Sequence, residues 1–243
     1  MVDDQLLNLV DALNPNQLKG LLPKPFPRIT LLVEFDDINE RNQKKNVKKA
    51  EKIFKELATE TIIETDRKQQ EKLWRIRHMS AVISSHARDA KKALPMIEDG
   101  IVPIDKFAEY LQGVYDLFER HKLPVAVWGH AGDGNVHMLP FLDLAEVGDR
   151  QKLFRIMQEY YKLVISLGGS TSGQNNDGRI RAAFLKDLYG QEIYDLFQKI
   201  KNVFDPHGIL NPGVKLGVTV DDIKPLLRSE YSMSHLYDHM PRS

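Results

Sequence analysis

Trp128-Gly-His-Ala-Gly-Asp-Gly-Asn-Val-His137 decides how this chain is read, because it sets two histidines around a turn built of Gly, Asp and Asn. The run before it, Leu123-Pro-Val-Ala-Val-Trp128, predicts a buried strand, and Val136 to Leu142 predicts a second strand after the tight Gly-Asp-Gly-Asn connection. His130 and His137 then stand at the two ends of a hairpin loop. Imidazole is the commonest metal ligand and the side chain most easily poised near neutral pH, so the pair points to a metal site or to acid/base chemistry. The plainer alternative is one loop histidine that hydrogen-bonds locally beside one strand-surface histidine, since two ligands alone do not complete a metal site.

On either side of the hairpin the apolar spacing alternates between helix and strand periods. Asp3 to Leu13 predicts a lead-in helix with Leu6, Leu7, Val10 and Leu13 on one face, and Leu21-Leu-Pro-Lys-Pro-Phe-Pro27 predicts a linker. Arg28 to Phe35 and Thr61 to Thr65 read as strands flanking a helix from Ile38 to Leu57. A helix over Gln69 to His86, a strand over Met96 to Val102 and a helix over Ile104 to Arg120 lead into the hairpin. Arg150 to Leu167 and Gln191 to Phe204 follow as long helices, with Phe154, Met157, Tyr161, Val164 and Ile165 facing the core. The class expected is α+β, an antiparallel sheet covered by helices on one side.

Composition narrows the function. A chain of 243 residues that is 42% hydrophobic can bury a substantial core as one globular domain. Its 34 basic and 34 acidic residues leave no overall excess to draw nucleic acid or an anionic membrane, so neither is expected as a partner. The run Arg41-Asn-Gln-Lys-Lys-Asn-Val-Lys-Lys49 reads as the solvated face of a helix. No apolar run approaches the roughly 20 residues of a bilayer span, and no signal core follows the start, so a cytoplasmic setting is expected. With no cysteine, disulfides, thiolate catalysis and cysteine-ligated clusters are excluded.

Two more Gly-rich segments accompany the hairpin: Gly168-Gly-Ser-Thr-Ser-Gly-Gln-Asn-Asn-Asp-Gly-Arg-Ile-Arg-Ala-Ala-Phe184 and Asp205-Pro-His-Gly-Ile-Leu-Asn-Pro-Gly-Val-Lys215. In this order, from about Pro27 to Lys215, the set resembles the C-terminal domain of FAD-linked oxidases and dehydrogenases of the vanillyl-alcohol-oxidase superfamily, the D-lactate, glycolate and D-2-hydroxyglutarate dehydrogenase group. The resemblance implies a ferredoxin-like cap over residues 27–216, preceded by a lead-in helix and linker over 1–26 and followed by a tail over 217–243. It implies FAD as cofactor, held mostly by an upstream flavin-binding domain that is expected to be missing here. It also implies a small 2-hydroxy acid as substrate and hydride transfer from the substrate Cα to flavin N5.

By the same resemblance, His130 and His137 ligate a divalent metal such as zinc, and Gln174 stands where relatives carry a carboxylate ligand. Asn175 stands where relatives carry the histidine that accepts the hydroxyl proton, and an amide does not titrate near neutral pH. Three readings stay open: another base such as His130, His137 or a residue of the flavin-binding domain, deliberately altered catalytic positions, or a domain no longer catalytic. Asn175 can still hydrogen-bond a carboxylate or carbonyl. Arg77, in Leu73-Trp-Arg-Ile-Arg77, matches the arginine that faces substrate, and Arg179 and Arg181 are further carboxylate-binding candidates. Asn135 and Asn211 are implied as flavin neighbours. Apolar Ile97 and Leu139, at positions of polar substrate contacts in the family, favour a substrate with a small or hydrophobic tail. The function expected is the substrate-binding cap of an FAD-dependent 2-hydroxy-acid oxidoreductase, inactive in isolation and capable of forming a homo-oligomer. The alternative is a non-catalytic metal- or small-acid-binding or interaction module.

Overall fold

The computed structural model describes residues 1–16, 18–57, 60–83, 92–93 and 96–227, which form two compact units, 1–81 and 82–243. Each strand pairing within a unit is antiparallel, and the class is α+β as the periodicities imply.

In the first unit, β1 (Val2–Asp3) pairs with β2 (Ile29–Thr30), and Asp3 caps α1 (Asp4–Leu13) by accepting the Leu6 N–H at 2.8 Å. Leu6, Leu7 and Val10 are buried, as their spacing predicts. α2 (Glu40–Leu57) and α3 (Arg67–Ile83) follow. The strands expected over 28–35 and 61–65 are not built out: only Ile29 and Thr30 join a ladder, while Leu31, Leu32, Val33, Ile62 and Ile63 are exposed. A strand exists only where a neighbour receives its N–H and C=O groups, and apolar β-branched content alone does not supply one.

The second unit is organised by the hairpin. β4 (Val125–His130) and β5 (Asn135–Leu142) pair from Val125 opposite Pro140 to His130 opposite Asn135, around a single turn at Ala131–Asp133. Gly134 closes that turn at φ 74°, where an added Cβ would overlap the Val102 carbonyl oxygen. β3 (Lys92–Ala93) pairs with the far end of β5. α4 (Phe107–Arg120) and α5 (Val147–Ser166) pack on one another, and α5 lies against β5. Their buried faces carry Tyr110, Val114, Leu117 and Phe118 from α4, and Phe154, Met157, Tyr160, Tyr161 and Val164 from α5. Ile165 is half-buried instead of a core residue, and Tyr160 is fully buried.

Met96 to Val102 is not a continuous strand. Asp99 adopts φ 69°, which breaks the extended run, and Ile101 alone bridges to Asn135 and to Ser170. α6 (Leu185–Phe204) is interrupted at Gly190, φ 78° and ψ 168°, so its regular part starts at Gln191 as predicted. α7 (Val220–Ile223) is closed by reciprocal hydrogen bonds between Thr219 and Asp222. Leu226 is exposed, and the tail residues Tyr231, Leu236 and Tyr237 lie outside the described residues.

Candidate active site

The site is assembled around Glu98-Asp99-Gly100, a turn that sequence reading passes over as part of a strand. Asp99 is fully buried, a position a carboxylate tolerates only when paired and hydrogen-bonded. Its carboxylate accepts the backbone N–H groups of Gln174 at 2.9 Å and Asn175 at 2.8 Å, and its carbonyl accepts that of Gly173 at 2.7 Å. Arg181 Nη1 stands 3.5 Å from the same carboxylate, while Nη2 donates to the carbonyls of Asn175 and Asn176 at 3.0 and 2.6 Å. Asp99 and Arg181 therefore clamp the 173–176 loop from both sides. Asn135, also buried, donates to Gly100 O at 3.1 Å and to Asp99 at 3.4 Å. Tyr160 Oη accepts the Gly100 N–H at 2.8 Å and lies 2.7 Å from Tyr110 Oη, so the turn is held from beneath by α4 and α5. Burial pushes both phenols well above the usual tyrosine range, which keeps them neutral hydrogen-bonding groups.

His137 rises from β5 into this frame. Nδ1 lies 3.3 Å from Glu98 Oε2 and Nε2 lies 2.7 Å from Gln174 Oε1, with the Trp128 ring 5.6 Å away. Burial pushes its pKa down, but the hydrogen bonds to Glu98 and Gln174 and the charges of Glu98 and Asp99 outweigh burial, and His137 titrates above the usual histidine range. An imidazole with an acceptor at each nitrogen is best satisfied as the cation, which donates to both. His130, half-buried at the end of β4, sets its ring 6.1 Å from that of His137 and nearly perpendicular to it. The hairpin thus brings both imidazoles together as expected, and Gln174 joins them.

The donor set does not fit the implied zinc ion. His137 Nε2 and Gln174 Oε1 are bonded directly to each other, closer than two ligands roughly 2.0–2.2 Å from a common tetrahedral ion would stand. Glu98 occupies the other nitrogen, and among the described residues no group of three His, Asp or Glu side chains is arranged to hold a metal ion.

The remaining expected residues divide by location. Arg181 is buried and spends its guanidinium on the loop, and Asn135 spends its amide on the turn, so both act inside the frame. Asn175 is exposed and held through its backbone. Arg179 is exposed and lines a cleft of about 230 Å³ with Pro212, Gly213, Asp222 and Ile223. Asn211, at φ 48°, lines a groove of about 490 Å³ with Asn202, His207 and Gly213 on the other side of the same turn. Asp205 anchors that turn by accepting Lys201 Nζ at 2.5 Å and the N–H groups of Ile209 and Leu210 at 2.9 Å each. These bonds, that of Lys201 foremost, hold its carboxyl below the usual range. Arg77 is half-buried in α3 of the other unit. Ile97 and Leu139 are fully buried core residues, so the substrate preference inferred from them has no basis in the site.

Glu98, Asp99 and Tyr160 are the members that sequence reading missed. The available signal was two adjacent carboxylates between apolar Met96-Ile97 and Ile101-Val102, a pattern that demands buried partners.

A family model for the C-terminal domain of FAD-linked oxidases matches residues 1–214. Over 184 residues, 75% of this chain, the sequence is 32% identical to a D-lactate dehydrogenase of Archaeoglobus fulgidus, of which it spans 38%. It is 31% identical to a D-2-hydroxyglutarate dehydrogenase of Haemophilus influenzae over 59% of this chain and 14% of that protein. It is 30% identical to the glycolate oxidase subunit GlcD of Bacillus subtilis over 50% of this chain and 26% of that protein. The chain thus spans well under half the length of these relatives. The Gly-Asp-Gly-Asn hairpin, the clamped 173–176 loop and the Asp205 turn are this protein's form of a shared domain, and the chain belongs to the family of FAD-linked oxidase C-terminal domains.

Proposed function

We propose that this chain is the substrate-side domain of an FAD-dependent 2-hydroxy-acid oxidoreductase, completed by a flavin-binding part. The observation that carries the reading is the pair of perpendicular imidazoles, one fixed between Glu98 and Gln174, the other half-exposed beside it. His137, engaged at both ring nitrogens by Glu98 and Gln174, forms a fixed wall beside His130 against which a small hydroxy acid can rest. His130 accepts the hydroxyl proton in the role Asn175 cannot fill. The side-chain amide of Asn175 and the guanidinium of Arg179 are exposed donors for a carboxylate. Arg181 is a positioning residue that holds the loop.

FAD, when bound, supplies the two-electron acceptor for the substrate Cα–H. The 490 Å³ groove suits only part of that group: the amide of Asn211 and the imidazole of His207 match the polar edge of a ring, whereas its one lysine, Lys201, is tied to Asp205 and Leu210 O. A pyrophosphate needs a cationic or backbone-amide cradle, which a further domain would provide. The exposed apolar residues Ile193, Leu196, Ile200, Val203 and Phe204 of α6 form the surface that such a domain would cover.

The test is titration of the chain with D-lactate while the imidazole resonances of His130 and His137 are followed by NMR. Saturable shifts of both rings, lost in His130→Ala, are expected. No response to D-lactate, glycolate or D-2-hydroxyglutarate would overturn the assignment. The chain alone is expected to reduce no dye acceptor, and fusion behind the flavin-binding part of the archaeal relative is expected to restore turnover.

A further inference from the structure

The balanced composition of this chain hides a segregated helix in its first unit. Along α2, Gln43, Asn46, Val47, Ala50, Glu51 and Phe54 are half-buried and repeat at helical spacing, so this stripe is the less exposed side of the helix. Arg41, Lys44, Lys45, Lys48, Lys49, Lys52 and Lys55 are all exposed. At about 100° per residue they fall within an arc of roughly 140°, on the side away from the stripe. Glu40 and Glu51 take up Lys44 and Lys55 at 3.6 and 2.9 Å, while Lys45, Lys48, Lys49 and Lys52 make no ion pair among the described residues. An ordinary solvated face intersperses both signs, and only Glu56 breaks this one. Ile53, 55% exposed, borders the cationic arc, and Ile38, just before the helix, is 103% exposed.

We propose that the exposed face of α2 docks on an anionic lipid bilayer, its lysines against headgroup phosphates and Ile38 and Ile53 entering the headgroup boundary. The chemistry favours lipid over the other polyanions. Lysine is a flexible point charge suited to a mobile array of phosphates, and exposed aliphatics flanking a basic helix face gain by leaving water at a membrane interface. Single-stranded nucleic acid calls for aromatic platforms, yet the one aromatic ring of α2, Phe54, lies on the half-buried stripe. No helix among the described residues is long and apolar enough to cross a membrane, so the attachment is peripheral.

Flotation of the full chain with phosphatidylcholine vesicles, with and without an equal part of phosphatidylglycerol, tests this. Binding is expected only to the anionic vesicles, falling at least tenfold as salt rises from roughly 0.05 to 0.5 M. A Lys45→Glu, Lys48→Glu, Lys52→Glu variant is expected to lose at least tenfold in partitioning with an unchanged circular dichroism melt, and Lys45→Gln, Lys48→Gln, Lys52→Gln to lose less. Should the reversed variant fail to fold, the Gln variant carries the same comparison. Failure to float with anionic vesicles, equal flotation of wild type and variants, or duplex DNA displacing the vesicles at equal phosphate concentration would overturn the proposal.

Discussion

Glu98 Oε2 lies 3.3 Å from His137 Nδ1, and both side chains are largely withdrawn from water, 15% and 8% exposed. The carboxylate and the Gln174 oxygen raise the folded-state pKa of His137 above its ordinary 6.5. A histidine raised on folding contributes stability that is fully present below its unfolded pKa and is lost as pH rises through the folded value. Unfolding free energy from urea titrations is therefore expected to fall as pH climbs from 6.5 through the folded pKa of His137. Glu98→Gln is expected to flatten that slope, and an identical slope in the variant would refute the pairing.

Asp99→Asn keeps the shape of the side chain but leaves the Arg181 guanidinium buried without a counter-charge. A loss of about 3 kcal/mol is expected, typical of breaking a buried pair from one side. Arg181→Met in the same chain should recover part of it, because both charges are then gone. A double-mutant cycle in guanidinium chloride measures the coupling, and strict additivity would show that the two groups act independently.

Tyr160→Phe strands the buried Gly100 N–H that now bonds to the phenol at 2.8 Å. Leaving such a donor unsatisfied costs about 1–3 kcal/mol. The expected signature is faster amide exchange at Gly100 together with shifts in the Gln174 and Asn175 amides, which donate to the neighbouring Asp99. Tyr110→Phe is expected to cost less, since its own bond to Gly100 O is a long 3.3 Å.

Gly134→Ala is expected to destabilise by about 2–4 kcal/mol, combining a left-handed backbone with overlap at Val102. Gly132→Ala, two residues away on the same turn, meets open space and should change stability by less than about 1 kcal/mol. Equal thermal melts for the two variants would contradict the close approach.

The parts of the fold legible in the sequence are those fixed by local pattern. The aspartate start of α1, the helix from Gln191 and the hairpin each carry their signal within a dozen residues, and each is found close to its expected bounds. The 28–35 and 61–65 strands fail because pairing is a property of two segments, and neither apolar run specifies its neighbour. Within the site, the histidines and Gln174 announce themselves through an unusual turn and a Gly-rich loop. Asp99 does not, because a buried carboxylate is intelligible only beside the arginine and the loop amides that neutralise it, and these lie far along the chain. Arg181 inverts the error: an arginine just after a Gly-rich loop suggests a ligand grip, while its burial commits it to the protein's own carbonyls.

Ile101 exchanges hydrogen bonds with Ser170 at 3.0 and 2.8 Å, and the next residue, Val102, donates to Gly134 O at 3.1 Å. Three otherwise separate stretches, the acidic turn, the hairpin tip and the amide-bearing loop, are thereby riveted through two consecutive peptides. None of the three can shift alone without breaking these bonds. Under the proposed function this shared wall is the fixed jaw of the vice, and admission of substrate falls to the part that completes the site.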